Sequence, residues 1–169
     1  MKENIILIGF MGAGKTSVGQ ELSSRYQKKM VDTDCLIEDK AGMTISDIFA
    51  QKGEEYFRQL ETEVLSDLLE QADNWVISVG GGLPMREENR EILKELGEVV
   101  YLQVEPKTVL KRLKGDTTRP LLQGDRVEKK VTDLMDFRGP VYEKAAHRIV
   151  RADGKSLEEI AEEIYRPEK

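Results

Sequence analysis

Apolar positions along this chain form short runs that alternate with segments of helical spacing. Each run is bounded by polar residues, which predicts a buried β-strand. The runs lie at residues 4–8, 29–34, 75–79, 99–104 and 148–150. Between the second and third runs, Phe57, Leu60, Val64 and Leu68 follow one another at helical spacing. This spacing predicts an amphipathic helix over residues 54–70.

Further helices are predicted from the spacing of apolar residues and from residues that typically begin or end a helix. They cover residues 16–26, 36–41, 44–52, 87–96, 106–114, 127–137, 141–146 and 156–165. Thr44 with Asp47, and Ser156 with Glu159, have the spacing of capping boxes at helix N-termini. Residues 138–140, Arg-Gly-Pro, interrupt the apolar spacing. We therefore predict that one helix ends there and that another continues at a new angle.

The order of these elements predicts the fold class. Strands that alternate with helices form a parallel sheet covered on both faces. The sequence thus indicates an α/β fold of three layers, with a five-stranded parallel sheet. We expect one domain over residues 1–169, because the sequence contains no repeat, low-complexity segment or long linker. In such sheets ligands bind beyond the carboxyl ends of the strands.

One segment departs from this pattern. Residues 115–126 contain two glycines and one proline and have no sustained apolar period. A loop of this length inside a compact domain is typical of a functional lid. We expect a mobile lid over about residues 112–126.

The first predicted strand leads into GFMGAGKT at residues 9–16, a match to every fixed position of the phosphate-binding loop motif. Strand, glycine-rich turn and helix N-terminus together build an anion site from backbone N–H groups and the helix dipole. Lys15 brings a positive charge to the outer phosphates, and the Thr16 hydroxyl is a ligand suited to Mg²⁺. The sequence therefore predicts that this protein binds a nucleoside triphosphate.

Composition and charge narrow the function further. The 169 residues include 26 Lys and Arg against 32 Asp and Glu, for a net charge of −6. This negative charge argues against nucleic acid or an anionic membrane as a partner. For the same reason, an anionic substrate would need arginines concentrated at its binding site. The single cysteine, Cys35, excludes an intrachain disulfide. With no signal-peptide pattern or membrane-length apolar run, we expect a cytoplasmic protein.

Polar and glycine residues follow two further strands. Asp32 and Asp34 end the second run, and Gly80, Gly81 and Gly82 follow the third. Three consecutive glycines suit a place where a ligand or another backbone approaches closely. Because the carboxyl ends of parallel strands share one edge, we expect both groups to lie beside the phosphate loop. Either aspartate is suited to hold Mg²⁺ or an acceptor hydroxyl.

Three arginines complete the candidate chemistry, which is phosphoryl transfer. Arg58 and Arg138 carry planar guanidinium groups that suit a substrate carboxylate. Arg119, in the predicted lid, is placed to close over the transferring phosphate. No apolar strand ends in a DxxG pattern, which argues against a GTPase.

Six motifs, in this order, make the sequence resemble the shikimate kinases over essentially its whole length. They are GFMGAGKT from Gly9, DTD at Asp32, FRxxE at Phe57, GGG at Gly80, RPLL at Arg119 and RxPxY at Arg138. The resemblance implies an enzyme of aromatic amino-acid biosynthesis that moves the γ-phosphate of ATP to the 3-hydroxyl of shikimate. It also implies the kinase fold that carries a phosphate-binding loop and a lid, and we expect a monomer.

The resemblance also implies a role for each site residue. ATP is expected to contact Gly12, Ala13, Gly14, Lys15, Thr16, Ser17, Arg112 and Arg119, and Mg²⁺ to lie at Thr16 and Asp32. Shikimate is expected to contact Asp34, Arg58, Gly80, Gly81, Gly82 and Arg138. Lys15, Asp34 and Arg119 are the implied catalytic residues, with Asp34 as the base. The loop after Val150 flanks adenine in the family, but here it reads Ala-Asp-Gly-Lys and lacks the usual arginine and proline.

Three other functions are compatible with a phosphate-binding loop. A gluconate kinase of similar architecture takes a flexible polyol acid, whereas Asp34 with two arginines suits a rigid ring that bears a carboxylate opposite its hydroxyls. A nucleoside monophosphate kinase would need a second cluster of phosphate-binding arginines in the lid, and none is found. A regulatory module without turnover is disfavoured by the intact Lys15, Asp34 and Arg119.

Overall fold

The computed structural model describes residues 3–113 and 127–165 and contains one five-stranded parallel sheet within them. The strands are β1 (Asn4–Ile8), β2 (Lys29–Asp32), β3 (Trp75–Ser78), β4 (Gly97–Gln103) and β5 (Arg148–Arg151). Their order across the sheet is β2-β3-β1-β4-β5. In the centre, Ile6 lies opposite Ile77 of β3 on one side and Val99 of β4 on the other. The strand that leads into the phosphate loop is therefore paired on both edges.

Helices connect these strands within the described residues. They are α1 (Lys15–Tyr26), α2 (Thr33–Ala41), α3 (Ile45–Lys52), α4 (Glu54–Gln71), α5 (Glu87–Leu96), α6 (Pro106–Leu113), α7 (Val127–Ala145) and α8 (Leu157–Tyr165). A short 3₁₀ helix over Leu83–Met85 follows β3. The chain reverses its direction across the sheet after β2, so right-handed crossovers put α1 on one face and α5 on the other. The predicted α/β fold is confirmed.

The predicted capping residues form their hydrogen bonds. The Thr44 hydroxyl accepts the Asp47 N–H at 3.1 Å and so begins α3. At α8 the box is reciprocal, because Ser156 Oγ accepts the Glu159 N–H at 3.1 Å and Glu159 Oε1 accepts the Ser156 N–H at 2.8 Å. These local bonds satisfy backbone donors that have no partner within the helix.

The second strand is shorter than predicted. β2 ends at Asp32, whose carboxylate accepts the Asp34 N–H at 2.8 Å and caps α2. Asp34 therefore lies in the first helical turn rather than on the strand. A side chain that caps a helix holds the following backbone in helical geometry, so the helix begins where the sequence predicts the end of the strand.

Two other boundaries were predicted wrongly. β4 begins at Gly97, two residues before the start of the strand predicted at residues 99–104. The break at residues 138–140 does not occur, because α7 is one helix of 19 residues with Pro140 inside it. An internal proline removes one helical hydrogen bond. Tyr142 and Ala145, both buried beyond Pro140, pack into the core and hold this part of the helix in place.

One continuous apolar core lies between the sheet and its helices. It includes Ile6, Leu7 and Ile77 of the central strands, each without exposed surface. No helix in the described part of the chain combines the length and apolar character needed to span a membrane. The predicted lid falls largely on residues 114–126, which lie outside the described residues.

Candidate active site

A cleft of about 1020 Å³ lies beyond the carboxyl ends of the strands. Every site residue predicted within the described part of the chain lines it: residues 12–17, Asp32, Asp34, Arg58, residues 80–82, Arg112 and Arg138. Arg119 lies outside the described residues. Residues distant in sequence are thus gathered at one edge of the sheet, as the strand order requires.

The phosphate loop has the backbone conformation that its glycines permit. Gly9, Gly12 and Gly14 have φ angles of 148°, 85° and 97°, which residues with a Cβ rarely adopt. At Gly9 a Cβ would also lie 2.7 Å from the Leu102 carbonyl oxygen of β4. Lys15 Nζ donates to the carbonyl oxygens of Gly9 at 2.7 Å and Phe10 at 3.2 Å. The lysine is therefore held over the loop, at the N-terminus of α1.

Arg112 connects α6 to the phosphate loop. Its Nη1 donates to the Gly12 carbonyl oxygen at 2.9 Å. The start of α6 is fixed by Asp153 from the loop after β5, because the Asp153 carboxylate accepts the Glu105 N–H at 2.8 Å and the Thr108 hydroxyl at 2.6 Å. The loop that departs from the family pattern thus supports the helix that carries Arg112.

The triple glycine lets four charged side chains approach the backbone after β3. A Cβ on Gly80 would lie 2.9 Å from Asp34 Oδ1 and 3.2 Å from Glu61 Oε2. On Gly82 it would lie 2.6 Å from Arg58 Nη1, and on Gly81 it would lie 3.1 Å from Arg138 Nη1. No larger residue fits beside these groups without moving them.

Two side chains hold this glycine segment in place. The Gly80 N–H donates to the Thr33 hydroxyl at 3.0 Å, and the Tyr142 hydroxyl donates to the Gly81 carbonyl oxygen at 2.6 Å. Thr33 belongs to the first turn of α2, next to Asp34. The segment is therefore tied to α2 and α7, the helices that bring Asp34 and Arg138 to the cleft.

Arg58 on α4 is held by two carboxylates. Its Nη1 donates to Glu61 Oε1 at 2.8 Å, while Nε and Nη2 donate to Glu54 Oε2 at 3.4 and 3.2 Å. The two acidic residues differ in burial, because the side chain of Glu61 is 1% exposed and that of Glu54 is 56% exposed. Desolvation lowers the pKa of Arg58, but both carboxylates outweigh it, so the net pKa is raised. Arg58 stays charged.

Glu61 lies among charged groups in a nearly dry position. Desolvation raises its pKa to about 7, and the negative charge of Asp34 adds to the shift, whereas Arg58 and Arg138 oppose it. Its Oε1 binds Arg58, but its Oε2 has no hydrogen-bond partner within the described residues. An isolated buried carboxylate favours the protonated form because water no longer stabilises the charge.

This shift predicts a pH-dependent contribution to stability. The Glu61 pKa of about 7 in the fold lies above the ordinary value of 4.5, so between these values the folded state binds more proton than the unfolded state. The contribution is therefore complete below pH 4.5 and is lost as pH rises through 7. We expect Glu61→Gln, which cannot ionise, to gain stability relative to the wild type between pH 5 and 7.5.

Urea unfolding of both proteins at these two pH values measures that difference. Glu63→Gln on the same helix removes a charge from an exposed side chain and serves as the control. A Glu61→Gln variant whose stability relative to the wild type is the same at both pH values would contradict the prediction.

Arg138 lies on α7 on the other side of the glycine segment. It is only 4% exposed, its guanidinium carbon lies 5.7 Å from the Phe10 ring centre, and its Nη1 has no hydrogen-bond partner among the described residues. Burial raises the pKa of Tyr142, and the neighbouring Arg138 opposes that shift. An unpaired, buried N–H group beside the cleft is a donor available to a ligand carboxylate.

The sequence pattern does not predict a functional role for several residues that form this site. Glu61 enters only as the last residue of the FRxxE motif, and no role is predicted for Tyr142, Thr33 or Asp153. A signal was present for Glu61, which follows Arg58 by three residues and faces the apolar side of α4 next to Leu60. The sequence predicts no role for His147 or Cys35; His147 Nδ1 accepts the N–H of Val99 in β4, and Cys35 is exposed.

The cleft also contains oxygen ligands suited to Mg²⁺. Thr16 and Asp32 both line it, and Asp32 uses one oxygen to cap α2. Mg²⁺ commonly binds one or two protein oxygens and completes its shell with phosphates and waters, so this pair fits the ion. Within residues 3–113 and 127–165 no group of three or more His, Cys, Asp or Glu side chains is placed to hold a metal.

Comparisons with known proteins agree on one family. A family model described as shikimate kinase matches residues 11–167. A shikimate kinase of Dehalococcoides mccartyi is 44% identical over 164 residues, covering 97% of this chain and 92% of the relative. A solved shikimate kinase from Acinetobacter baumannii in complex with shikimate has a TM-score of 0.94 at 39% identity, covering 99% of this chain and 93% of that one. A shikimate kinase structure from Aquifex aeolicus has a TM-score of 0.82 at 38% identity, covering 96% and 94%.

Proposed function

We infer that this chain, which belongs to the shikimate kinase family, transfers the γ-phosphate of ATP to the 3-hydroxyl of shikimate in aromatic amino-acid biosynthesis. One observation carries this conclusion for the chain itself. A single cleft combines a complete phosphate loop with Asp34 and two largely buried arginines, Arg58 and Arg138. The phosphate loop suits the donor, and the arginines suit an acceptor that carries a carboxylate.

At the donor end of the cleft, backbone N–H groups of residues 12–17 bind the phosphates of ATP. Lys15 neutralises charge on the outer phosphates, and Arg112 contacts the nucleotide from α6. This assignment is supported by the positive φ angles of Gly12 and Gly14 and by the position of Lys15 over the loop. Arg119, proposed to contact the transferring phosphate, lies outside the described residues, and its role rests on the RPLL motif.

Thr16 and Asp32 hold Mg²⁺ in this proposal. Held there, Mg²⁺ would neutralise part of the charge on the phosphates of ATP. Support comes from the chemistry of the two side chains, a hydroxyl and a carboxylate that line the same cleft beside the loop.

At the acceptor end, Asp34 orients the 3-hydroxyl of shikimate and accepts its proton. A carboxylate within hydrogen-bond reach of a reacting hydroxyl is suited to this role. Arg58 and Arg138 bind the carboxylate of shikimate, and Gly80, Gly81 and Gly82 form the backbone surface next to the ring. The close approach of Gly80 to Asp34, and of Gly82 to Arg58, supports this arrangement.

ATP turnover measured with shikimate, with gluconate and with no acceptor tests the proposal. We expect ADP formation that depends on shikimate, and a phosphorylated product at its 3-hydroxyl. Turnover that requires gluconate would support the polyol kinase instead. Nucleotide binding without turnover under all three conditions would support a regulatory module.

Replacing Arg138 by lysine should raise the KM for shikimate strongly, by about tenfold or more. An ammonium group is a point charge and does not reproduce two parallel N–H donors. The KM for ATP should change little, because Arg138 lies beside Gly81 at the acceptor end of the cleft. Steady-state kinetics with each substrate varied in turn provide the measurement, and an unchanged KM for shikimate would exclude Arg138 from its carboxylate site.

A further inference from the structure

The guanidinium group of Arg58 contacts three different parts of the protein. Its Nη1 donates to the buried Glu61 at 2.8 Å. Gly82 packs against Nη1, Nη2 and Cζ, since a Cβ there would lie 2.6 to 2.9 Å from these three atoms. The Nε and Nη2 edge is held by a single oxygen of Glu54, at 3.4 and 3.2 Å. This edge has the two parallel N–H groups that a carboxylate binds in a bidentate manner.

The two carboxylates that bind the Arg58 guanidinium differ in how easily a ligand can displace them. Glu61 is buried, and separating it from Arg58 would leave a charge in a dry position. Glu54 is the first residue of α4, its side chain is 56% exposed, and water can solvate it when it moves away. Its hydrogen bonds to Arg58 are also the longer ones. Glu54 is therefore the partner that a ligand can displace.

Charge around Arg58 favours such a displacement. Glu54, Glu61 and Asp34 bring three carboxyl groups to a region that contains two arginines, Arg58 and Arg138. A carboxylate ligand that entered while Glu54 remained in place would meet a like charge at the same guanidinium edge, which is unfavourable. When Glu54 leaves, the ligand takes over its two hydrogen bonds.

We propose that Glu54 competes with the carboxylate of the acceptor for the Nε and Nη2 edge of Arg58, and so sets the affinity of this chain for its acceptor. This proposal rests on the function inferred above, with shikimate as the acceptor. Glu54 occupies the edge when the acceptor site is empty and is displaced on binding. Glu54 is thus a weak internal competitor of the acceptor carboxylate and lies one helical turn from Arg58.

Glu54→Gln removes the competing charge and keeps the shape of the side chain. An exposed ion pair contributes little, so we expect the Kd and KM for shikimate to fall by about two- to fivefold. The value of kcat should change little, because Glu54 has left Arg58 before phosphoryl transfer. A role in orienting Arg58 would have the opposite effect and would raise the KM.

Glu55→Gln is the matched control. Glu55 lies in the same first turn of α4, so both substitutions remove one acidic residue from the helix N-terminus. Its carboxylate accepts a hydrogen bond from Arg86 Nη2 at 2.6 Å, whereas that of Glu54 binds Arg58. We expect Glu55→Gln to leave the Kd for shikimate unchanged, which separates competition at Arg58 from a general effect of charge.

Calorimetric titration with shikimate and steady-state kinetics of the three proteins form the experiment. A Glu54→Gln variant that binds shikimate more tightly than both other proteins, at nearly constant kcat, supports the proposal. Equal or weaker binding, while the wild type phosphorylates shikimate, overturns the proposal and leaves the inferred function intact. A wild-type protein that neither binds nor phosphorylates shikimate overturns both.

Discussion

Replacing Lys15 by alanine should reduce shikimate-dependent turnover by about three orders of magnitude, the scale expected when a preorganised donor to developing charge is removed. Lys15 is mostly buried and held over the phosphate loop by the carbonyl oxygens of Gly9 and Phe10. Its ammonium group is therefore placed before ATP arrives and needs little reorganisation during the reaction. Alanine keeps the helical N-terminus of α1 but supplies no charge.

The fold should survive this substitution, because Lys15 lines the cleft rather than the apolar core. Urea unfolding and kinetics measured on the same preparations separate the two effects. Lys107→Ala, which removes a lysine that is 85% exposed on α6, is the control for the loss of one positive charge. If Lys15→Ala retained near-normal turnover, the role of this lysine at the outer phosphates would be wrong.

Replacing Asp34 by asparagine should reduce turnover by about two to four orders of magnitude while ATP still binds. Asparagine preserves the size of the side chain but is not a base and offers a single acceptor oxygen. The Asp34 carboxylate approaches Gly80, and Asp32 rather than Asp34 caps α2, so the helix should remain intact. The change thus acts on the acceptor hydroxyl and not on the phosphate loop.

Kinetics with shikimate and direct titration with ATP test the role of Asp34 together. Asp39→Asn, at an exposed position of the same helix, removes an equal charge outside the cleft and should leave both measurements unchanged. An Asp34→Asn variant with a normal kcat at saturating ATP but a much weaker affinity for ATP would place Asp34 in the metal site instead.

The parts of the fold that the sequence predicted are those determined by local pattern. The apolar run of β1 and the glycine motif after it identify a strand, a loop and a helix within about 20 residues. Ser156 and Glu159 identify the start of α8 in the same way, because both hydrogen bonds of a capping box lie within one turn. In each case the neighbours in sequence are also the partners in space.

The parts that the sequence did not predict depend on distant residues. Proline ordinarily ends a helix, but here the buried Tyr142 and Ala145 hold the part of α7 beyond Pro140 against the core. In the sequence Glu61 is only the last residue of the FRxxE motif, whereas its burial and raised pKa result from packing beside Gly80 and Asp34. Position in a motif does not disclose the solvent exposure of a side chain.

The central place of β1 in the sheet also has a consequence for synthesis of the chain. β1 is the first strand made, but its two neighbours, β3 and β4, end only at Ser78 and Gln103. At the usual rate of about 5–20 residues per second, the ribosome needs several seconds or more to supply both neighbours. Until β3 and β4 have both been made, at least one edge of the apolar strand that will hold the phosphate loop is open and able to pair with another chain. The nascent chain is therefore most exposed to aggregation through β1, the strand that is best protected in the finished protein.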